Sequence, residues 1–431
     1  MRWRTGLNLS LVAASNLFAG VSLSLLAPFY PGEALAKGVS VTQSGVVLGS
    51  VFITTVVLTP VMGHYMARLG ARRFLLAGST VCALGNIVSG WLDRVEGSGA
   101  FFAASLVLRV GTAVGESAIP PAALTLATMQ VEKANEGKAI ALCETLLGLG
   151  TMFGNSLGGL LYGLGGFSLP FWACGGAQLV LLLPCILLLK DIASSYTSLD
   201  ADLSPVTWVQ VLRAPGVLVT CFALALAGTS WSWYLPSLQP FLAATYGFSS
   251  STTGLVFMVF GLAYTVATPL FGWLADRGLG GVPSLAAGNA LIAAGFLLLG
   301  PAPPLLPLLG QHAWLTITSV AIQGLGCAAT YICSQVTFVE SGKTKLSDMF
   351  QVTLLRCALA SGLPDGEGVK ARVFSLWVML EAAGGYLGST LGGAAFDALG
   401  FEWASVVEAA VMAATVLILM VYVLVTRTRS Q

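Results

Sequence analysis

The stretch S-G-V-V-L-G-S-V-F-I-T-T-V-V-L-T-P-V-M-G-H-Y-M-A-R, Ser44 to Arg68, returns as T-G-L-V-F-M-V-F-G-L-A-Y-T-V-A-T-P-L-F-G-W-L-A-D-R, Thr253 to Arg277. The Thr-Pro dipeptide, the glycine near the end and the final arginine of each copy all coincide at one offset of 209 residues. The repeat predicts that the chain is a duplication of one ancestral half.

Two further landmarks keep the same order in both halves. Gly115 in V-G-T-A-V-G-E stands 211 residues before Gly326 in I-Q-G-L-G-C-A. The pattern G-x-x-L-G-G begins at Gly154 and again at Gly388, which is 234 residues later. The growth of the offset from 211 to 234 indicates that the second half has gained residues, and we assign the insertion to a loop at 341–371.

The bulk composition places these halves in a lipid bilayer. Of the 431 residues, 56% are hydrophobic and 9% are charged, and the mean hydropathy is +0.85. A helix needs about 20 apolar residues to cross the hydrocarbon, and runs of that length favour helices over a barrel. We therefore predict an all-α membrane protein with twelve transmembrane helices in two pseudo-symmetric six-helix bundles. The predicted spans are 7–29, 42–66, 74–92, 101–126, 139–162, 169–189, 216–238, 251–274, 283–303, 314–339, 372–396 and 402–426.

The distribution of basic residues predicts the orientation and the domain boundaries. With both termini in the cytoplasm, only Lys37 and Arg94 of the 20 Lys and Arg residues fall on the opposite side, and Arg109 falls within the membrane. We predict an N-terminal bundle at 1–190, a cytoplasmic linker at 191–215 and a C-terminal bundle at 216–431.

Several classes of function are disfavoured by the sequence. The net charge of +1 gives no reason to expect a nucleic-acid partner. Seven of the eight cysteines lie in apolar segments and no C-x-x-C pair occurs, so we expect neither a disulfide nor a metal site. Gly342-Lys343-Thr344 resembles the end of a phosphate-binding loop, but Thr337 replaces the first glycine that such a loop requires. We expect no enzyme activity and no cofactor, and we predict a monomer.

Arg109 is the most informative single residue, because a guanidinium in hydrocarbon needs a partner or a watery cavity. Glu116 lies seven residues further along the same predicted helix, and Glu144 lies in the next one. We expect the partner to be Glu144, and a purely structural Arg-Glu pair is the alternative.

The intramembrane acids are candidates for proton coupling. A carboxyl group in a low-dielectric environment retains a proton, and a hydrated or cation-paired one releases it. Glu144 and Glu381 precede the two G-x-x-L-G-G motifs, so we predict that each half directs one of them toward a central cavity, with Glu116 as a third candidate. For Glu408 an interfacial position is as compatible with the sequence as any role.

Two other groups of residues are candidates for substrate contact and for gating. Trp231, Trp233 and Tyr234 have the chemistry to contact a cation through their ring faces, although an interfacial aromatic belt is the commoner explanation. The repeated loop matches the signature of the major facilitator superfamily, with Ala67 replacing its aspartate in the first half. Its gating residues are Gly63, Arg68, Gly272, Asp276 and Arg277.

Further residues resemble the vesicular amine transporters, solute carrier family 18, and most of all their polyamine-transporting branch. They include Pro28-Phe29-Tyr30-Pro31-Gly32-Glu33-Ala34, Gly400-Phe401-Glu402-Trp403-Ala404, Leu142-Cys143-Glu144-Thr145 and Gly261-Leu262-Ala263-Tyr264. The likeness covers nearly the whole chain. Where the family places a carboxylate before the proline of the seventh helix, this chain has Leu235.

The resemblance implies proton-coupled antiport of polyamines or monoamines from the cytosol into acidic secretory or synaptic vesicles by alternating access. Two alternatives stay open from the residues. One is a facilitator or exchanger for another small, drug-like or neutral solute. The other is a non-transporting membrane scaffold or sensor, which the altered loop motif and the missing carboxylate allow.

Overall fold

The computed structural model describes residues 2–131, 136–189, 215–274, 282–301, 306–335 and 367–429. Throughout these ranges the regular secondary structure is helical, as the composition predicts. In the first part of the chain the helices are α1 (Arg2–Ser24), α2 (Tyr30–Ala36), α3 (Val41–Leu69), α4 (Ala71–Ser89), α5 (Ser98–Met129), α6 (Glu136–Gly165) and α7 (Ser168–Leu188), with a 3-10 turn at Leu92–Arg94. They continue as α8 (Pro215–Trp233), α9 (Leu238–Tyr246), α10 (Ser250–Leu274), α11 (Val282–Leu299), α12 (Leu306–Leu309), α13 (Ala313–Gln335), α14 (Glu367–Leu399) and α15 (Phe401–Arg429).

The predicted membrane spans agree with these helices. Ten of the twelve coincide with helices that are long and apolar enough to cross a bilayer. The other two, 216–238 and 372–396, fall on α8 and α14, which have 19 and 33 residues. The seventh span is shorter than predicted, since α8 ends at Trp233 and Pro236 lies in the turns before α9. Proline has no N–H to continue the helical hydrogen bonding, so the chain breaks there and begins a new helix.

Glycines let α6 pack directly on α1. A Cβ on Gly150 or Gly154 would overlap Leu17 or Ser24 of α1, and a Cβ on Gly158 would overlap Leu25, which directly follows α1. Such close approach maximises van der Waals contact between helices where lipid provides no hydrophobic driving force.

The second half repeats this contact with the same glycine spacing. Gly384, Gly388 and Gly392 of α14 meet Ala225, Thr229 and Trp233 of α8. Each of these glycines lies 234 residues after its counterpart in α6. Their partners on α8 lie 208 residues after Leu17 and Val21 of α1 and Leu25 just beyond it. A second repeated contact joins Gly78 to Gly115 and, correspondingly, Gly288 to Gly326. The duplication read in the sequence is therefore a duplication of helix contacts.

The structure divides into two compact units. One comprises Met1–Thr197 with Leu235–Met258, and the other comprises Ser198–Tyr234 with Val259–Gln431. The segment 235–258 thus groups with the first unit, and the two-bundle boundaries given above remain a prediction. The linker at 191–214 and the insertion at 341–366 lie outside the described residues.

Within the first unit, α2 and the loop before α5 close one end. The Lys37 ammonium donates to the carbonyls of Asp93 and Val95 and lies 4.8 Å from the centre of the Phe101 ring. The Tyr162 hydroxyl donates to Glu33. These contacts fix the end of the bundle to which Tyr30 belongs.

Candidate functional site

The Arg109 guanidinium forms an ion pair with Glu116 inside the first unit. Nη1 of Arg109 lies 3.0 Å from Oε1 of Glu116, and the two side chains are only 4% and 5% exposed. Seven residues make almost two helical turns, so both side chains project from one face of α5. The prediction that Arg109 pairs with Glu144 is therefore wrong, because the nearer acid on its own helix occupies the guanidinium.

Helix α1 completes the polar cluster around this pair. Ser22 donates to Glu116 Oε1 at 2.6 Å, and Asn86 Nδ2 donates to the Ser22 hydroxyl at 2.8 Å. Arg109 Nη2 donates to the Leu23 carbonyl at 2.8 Å. Because α1 ends at Ser24, its last carbonyls lack the amide donors that a further helical turn would supply, and those of Ser22 and Leu23 accept from Arg109 instead. The end of α1 thus supplies the acceptors that solvate the buried cation.

A small cavity adjoins the cluster and is lined partly by Tyr30, Ser105 and Arg109. Its volume of about 10 Å³ is enough for about one water molecule. Arg109 Nε and Glu116 Oε2 have no hydrogen-bond partner among the described residues. The cavity therefore offers room for about one water molecule beside the unsatisfied Arg109 side chain.

Glu144 occupies a different environment on α6. Its side chain is exposed within the first unit, and no cation among the described residues pairs with it. Glu144 lies eleven residues before Asn155, which is three turns on nearly the same helix face. Asn155 and Gly159 on that face are covered by the beginning of α10, near Gly254 and Ser250, whereas Glu144 is not. The structure thus leaves an uncompensated carboxyl group on a membrane-spanning helix.

Glu381 lies on α14 in the second unit and is partly exposed. Its carboxylate is close enough to Tyr331 and Cys327 of α13 to interact with them electrostatically. The repeat places Leu147, not Glu144, at the corresponding position of α6, because the two residues are 234 apart. Glu144 and Glu381 therefore do not occupy equivalent positions in the repeat. The acid of each half arose at a different position of the corresponding helix.

The Arg109–Glu116 pair has no counterpart in the second unit. By the offsets of 208 and 211, Ser22 corresponds to Ser230, Glu116 to Cys327 and Arg109 to Val320. The contact survives as Ser230 Oγ and Cys327 Sγ, 4.0 Å apart. A thiol and an apolar side chain have replaced the charged pair.

Glu408, for which the sequence indicated no particular role, is buried in the second unit. Its side chain is 1% exposed, and Thr229 Oγ1 lies 2.8 Å from its Oε1. An acidic residue within an apolar helix is enough to indicate a functional or buried position. Its location close to the start of α15 was equally compatible with the membrane–water interface. Which face of α15 packs inward is decided by its contacts with α8 and α11.

The candidate aromatic residues are largely packed into the second unit. Tyr234 is buried, with its ring centre 6.3 Å from Phe260 and 6.2 Å from Phe296. Trp233 is also buried, and its indole N–H finds no acceptor in the described part of the chain. Trp231 is partly exposed. Contact of these rings with a substrate stays a prediction.

The predicted gating residues fall mostly beyond what the structure describes. Asp276 and Arg277 lie outside the described residues. Gly63 and Arg68 belong to the last turns of α3, but their surroundings are not among the described ones. Gly272 lies near the end of α10, with open space beside its Cα.

Comparisons with known proteins agree with this architecture. The family model for the Major Facilitator Superfamily matches residues 12–226 and 220–431. The chain is 29% identical to the MFS-type transporter SLC18B1 of Homo sapiens over 406 residues, which are 92% of this chain and 81% of that protein. It is 25% identical to the chloramphenicol resistance protein of Streptomyces lividans, covering 83% of this chain and 87% of that one. It is 23% identical to the chromaffin granule amine transporter of Homo sapiens, covering 85% and 62%.

Among solved structures, the chain resembles a bacterial homologue of the human lysosomal transporter Spinster in its inward-facing, unoccupied conformation. The TM-score is 0.68, with 97% of this chain and 95% of that chain covered at 15% identity. At that identity the likeness concerns the fold alone.

Proposed function

Because the chain belongs to the major facilitator superfamily, we propose that it is a proton-coupled antiporter that moves an organic cation across the membrane by alternating access. The relatives and the fold are those of transporters and not of enzymes. The similarity to SLC18B1 and to the chromaffin granule amine transporter confirms the resemblance to solute carrier family 18. The name of the latter relative supports an amine as the substrate class, and we propose a polyamine or a monoamine.

The observation that carries the proposal is that only one of two acids in the first unit, Glu116, pairs with Arg109. Glu116 neutralises Arg109, so Glu144 does not, and its carboxylate stays exposed on α6 without a cation partner among the described residues. A carboxylate in a membrane-spanning segment attracts either a cation or a proton. Competition between the two at one carboxylate is the minimal chemistry of cation/proton exchange.

The proposed direction and location follow from the orientation predicted for the chain. With both termini in the cytoplasm and an acidic lumen opposite, protons leave the vesicle as the organic cation enters it. Each half-cycle then exposes Glu144 to a compartment of different proton concentration. The protein is proposed to act as a monomer in the membrane of a secretory or synaptic vesicle.

Substitution of Glu144 by Gln tests the proposal. We expect uptake of labelled spermidine or serotonin into proteoliposomes with an imposed pH gradient to fall by about tenfold or more, since a lost interaction of roughly 1.4 kcal/mol already costs that factor. The change preserves the shape of an exposed side chain, so thermal stability should stay at the wild-type value. Glu402→Gln on α15 is the matched control, and wild-type uptake by the Glu144 variant would refute the assignment.

A second candidate is exchange of a neutral or drug-like solute, which the similarity to the chloramphenicol resistance protein favours. Transport of labelled chloramphenicol in the same proteoliposomes separates the two candidates. Uptake of amines that is insensitive to Glu144→Gln, together with gradient-driven movement of chloramphenicol, would select this alternative.

A further inference from the structure

In the described part of each unit, one carboxyl group is buried against the first long helix, and the two groups differ in their electrostatic environments. In the first unit Glu116 contacts Ser22 of α1 and carries Arg109 as its cation. In the second unit Glu408 contacts Thr229 of α8 and has no cation within ion-pair distance in the part of the chain that the structure describes. The two acids come from different helices, α5 and α15, so the duplication did not produce both.

The internal repeat identifies the position in the first half that corresponds to Glu408. Gly166-Phe167, just before α7, and Gly400-Phe401, at the start of α15, are 234 residues apart, so Glu408 corresponds to Cys174 of α7. Cys174 is buried and lies 4.0 Å from Asn86 Nδ2, beside the polar cluster of the first unit. Each half therefore has the same polar position beside its first long helix, with the acid drawn from a different neighbour.

The hydrogen bonds around Thr229 indicate which protonation state of Glu408 the structure favours. Thr229 Oγ1 lies 2.8 Å from Glu408 Oε1 and 2.7 Å from the carbonyl oxygen of Leu226. A hydroxyl has one proton, and a carbonyl only accepts. If Glu408 is ionised, two acceptors compete for that proton. If Glu408 is protonated, its O–H donates to Thr229, which donates to Leu226, and all three groups are satisfied.

Among the described side chains on the neighbouring helices, none is a cation that could offset ionisation of Glu408. The helices packed against α15 are α8, α11 and α14. α14 begins with Glu367, Lys370 and Arg372, at the end of the helix that is remote from the start of α15. The other titratable groups on these three helices are Cys221 on α8 and Glu381, Tyr386 and Asp397 on α14, while α11 has none. None of these is cationic, and Glu408 is 1% exposed. An isolated carboxylate so deeply buried is strongly disfavoured, and such a group binds a proton instead.

From this geometry we infer that Glu408 is a protonated acid in the described conformation and serves as the proton-carrying group of the second half. The inference rests on the proposed function for its transport role. Glu408 lies two turns from the start of α15, which is the lumenal end in the proposed orientation. It is therefore placed to take a proton from an acidic lumen and to release it when α8 and α15 separate enough to admit water.

The protonation state is tested without transport by infrared spectroscopy of the purified protein at neutral pH. We expect the spectrum of Glu408→Gln to lack a protonated-carboxyl band that the wild type shows, and Glu402→Gln to leave that band in place. If Glu408→Gln does not fold, Thr229→Val provides the readout, since loss of the hydroxyl must shift the band. A band that neither change affects would overturn the inference.

The carrier role is tested by two modes of transport in proteoliposomes. Glutamine mimics the protonated acid but cannot release a proton, so uptake of labelled spermidine driven by a pH gradient should fall to the level of protein-free liposomes. Exchange of labelled for unlabelled spermidine at equal pH should persist. Wild-type rates of gradient-driven uptake in Glu408→Gln would overturn the role. If the wild type itself transports no organic cation in either mode, the proposed function fails and the carrier role with it, while the infrared band still decides the protonation state.

Discussion

Arg109 shows how a single residue can be recognised correctly and yet be assigned the wrong partner. An arginine within an apolar segment must be compensated, and it is, by Glu116 and by two carbonyls at the end of α1. The carbonyls could not be foreseen, because they are available only where α1 terminates close to α5. With three groups around the guanidinium, Glu144 is neither needed nor present there.

Removal of the Arg109 side chain should be strongly destabilising, because it leaves the Glu116 carboxylate buried and uncompensated. We expect Arg109→Ala to lower the free energy of unfolding by about 3–5 kcal/mol. Thermal unfolding in detergent provides the measurement, and Arg94→Ala, at an exposed arginine, is the control.

A double-mutant cycle distinguishes the two acids as partners of Arg109. Adding Glu116→Gln to Arg109→Ala should recover part of the lost stability, whereas adding Glu144→Gln should give additive effects. Additivity with Glu116 and coupling with Glu144 would restore the partner first expected from the sequence.

At the scale of elements, small residues decide which helices touch. Asn16 donates to the carbonyl of Cys143 at 3.0 Å, and the glycines of α6 continue the same contact along α1. The corresponding glycines of α14 form the corresponding contact with α8. The glycine stripe of α6 (Gly150, Gly154 and Gly158) therefore has a packing role, as do its counterparts on α14. These helix contacts fix the positions of the acids on the same helices.

Enlarging one glycine of the stripe should disrupt the helix pair. In Gly154→Ala the new methyl group would overlap Ser24 and lie 2.7 Å from the Val21 carbonyl oxygen. We expect a loss of about 1–3 kcal/mol in the free energy of unfolding, as for other overpacked interiors. Gly148→Ala is the matched control on the same helix, because nothing lies within 4 Å of its added carbon. Equal stability of the two variants would show that the contact between α1 and α6 is not tight.

At the scale of the whole molecule, two properties follow from an even number of spans. Both termini are predicted to lie on one side of the membrane, and the distribution of basic residues predicts that this side is the cytoplasm. The loop around Gly97, between the 3-10 turn and α5, is then predicted to lie on the opposite side.

Protease protection in sealed vesicles tests this topology. We expect epitope tags at the N- and C-termini to be digested together from the cytoplasmic face, and a tag inserted at Gly97 to be protected. A positive φ of 84° and open space at Gly97 make it a suitable site for the insertion. Termini that respond oppositely would exclude an even number of spans.

The sequence by itself determined the class of fold, the duplication and the superfamily. The length of a hydrophobic run is a local property, and a repeat of glycines and prolines reflects helix contacts directly. Both can therefore be recognised without knowledge of the tertiary structure. The acids within apolar runs were visible for the same reason, and so was the loop motif.

Only the tertiary structure decided which charges meet. Arg109 pairs with Glu116 because α1 brings Ser22 and backbone carbonyls to that face of α5. Glu408 is buried because α8 and α11 pack against α15. Electrostatic energy depends on distances of a few ångström and on burial, and both are set by helix packing between segments far apart in the chain. The sequence therefore showed that charges were buried, and the fold determined which of them are neutralised by an ion pair and which by a proton.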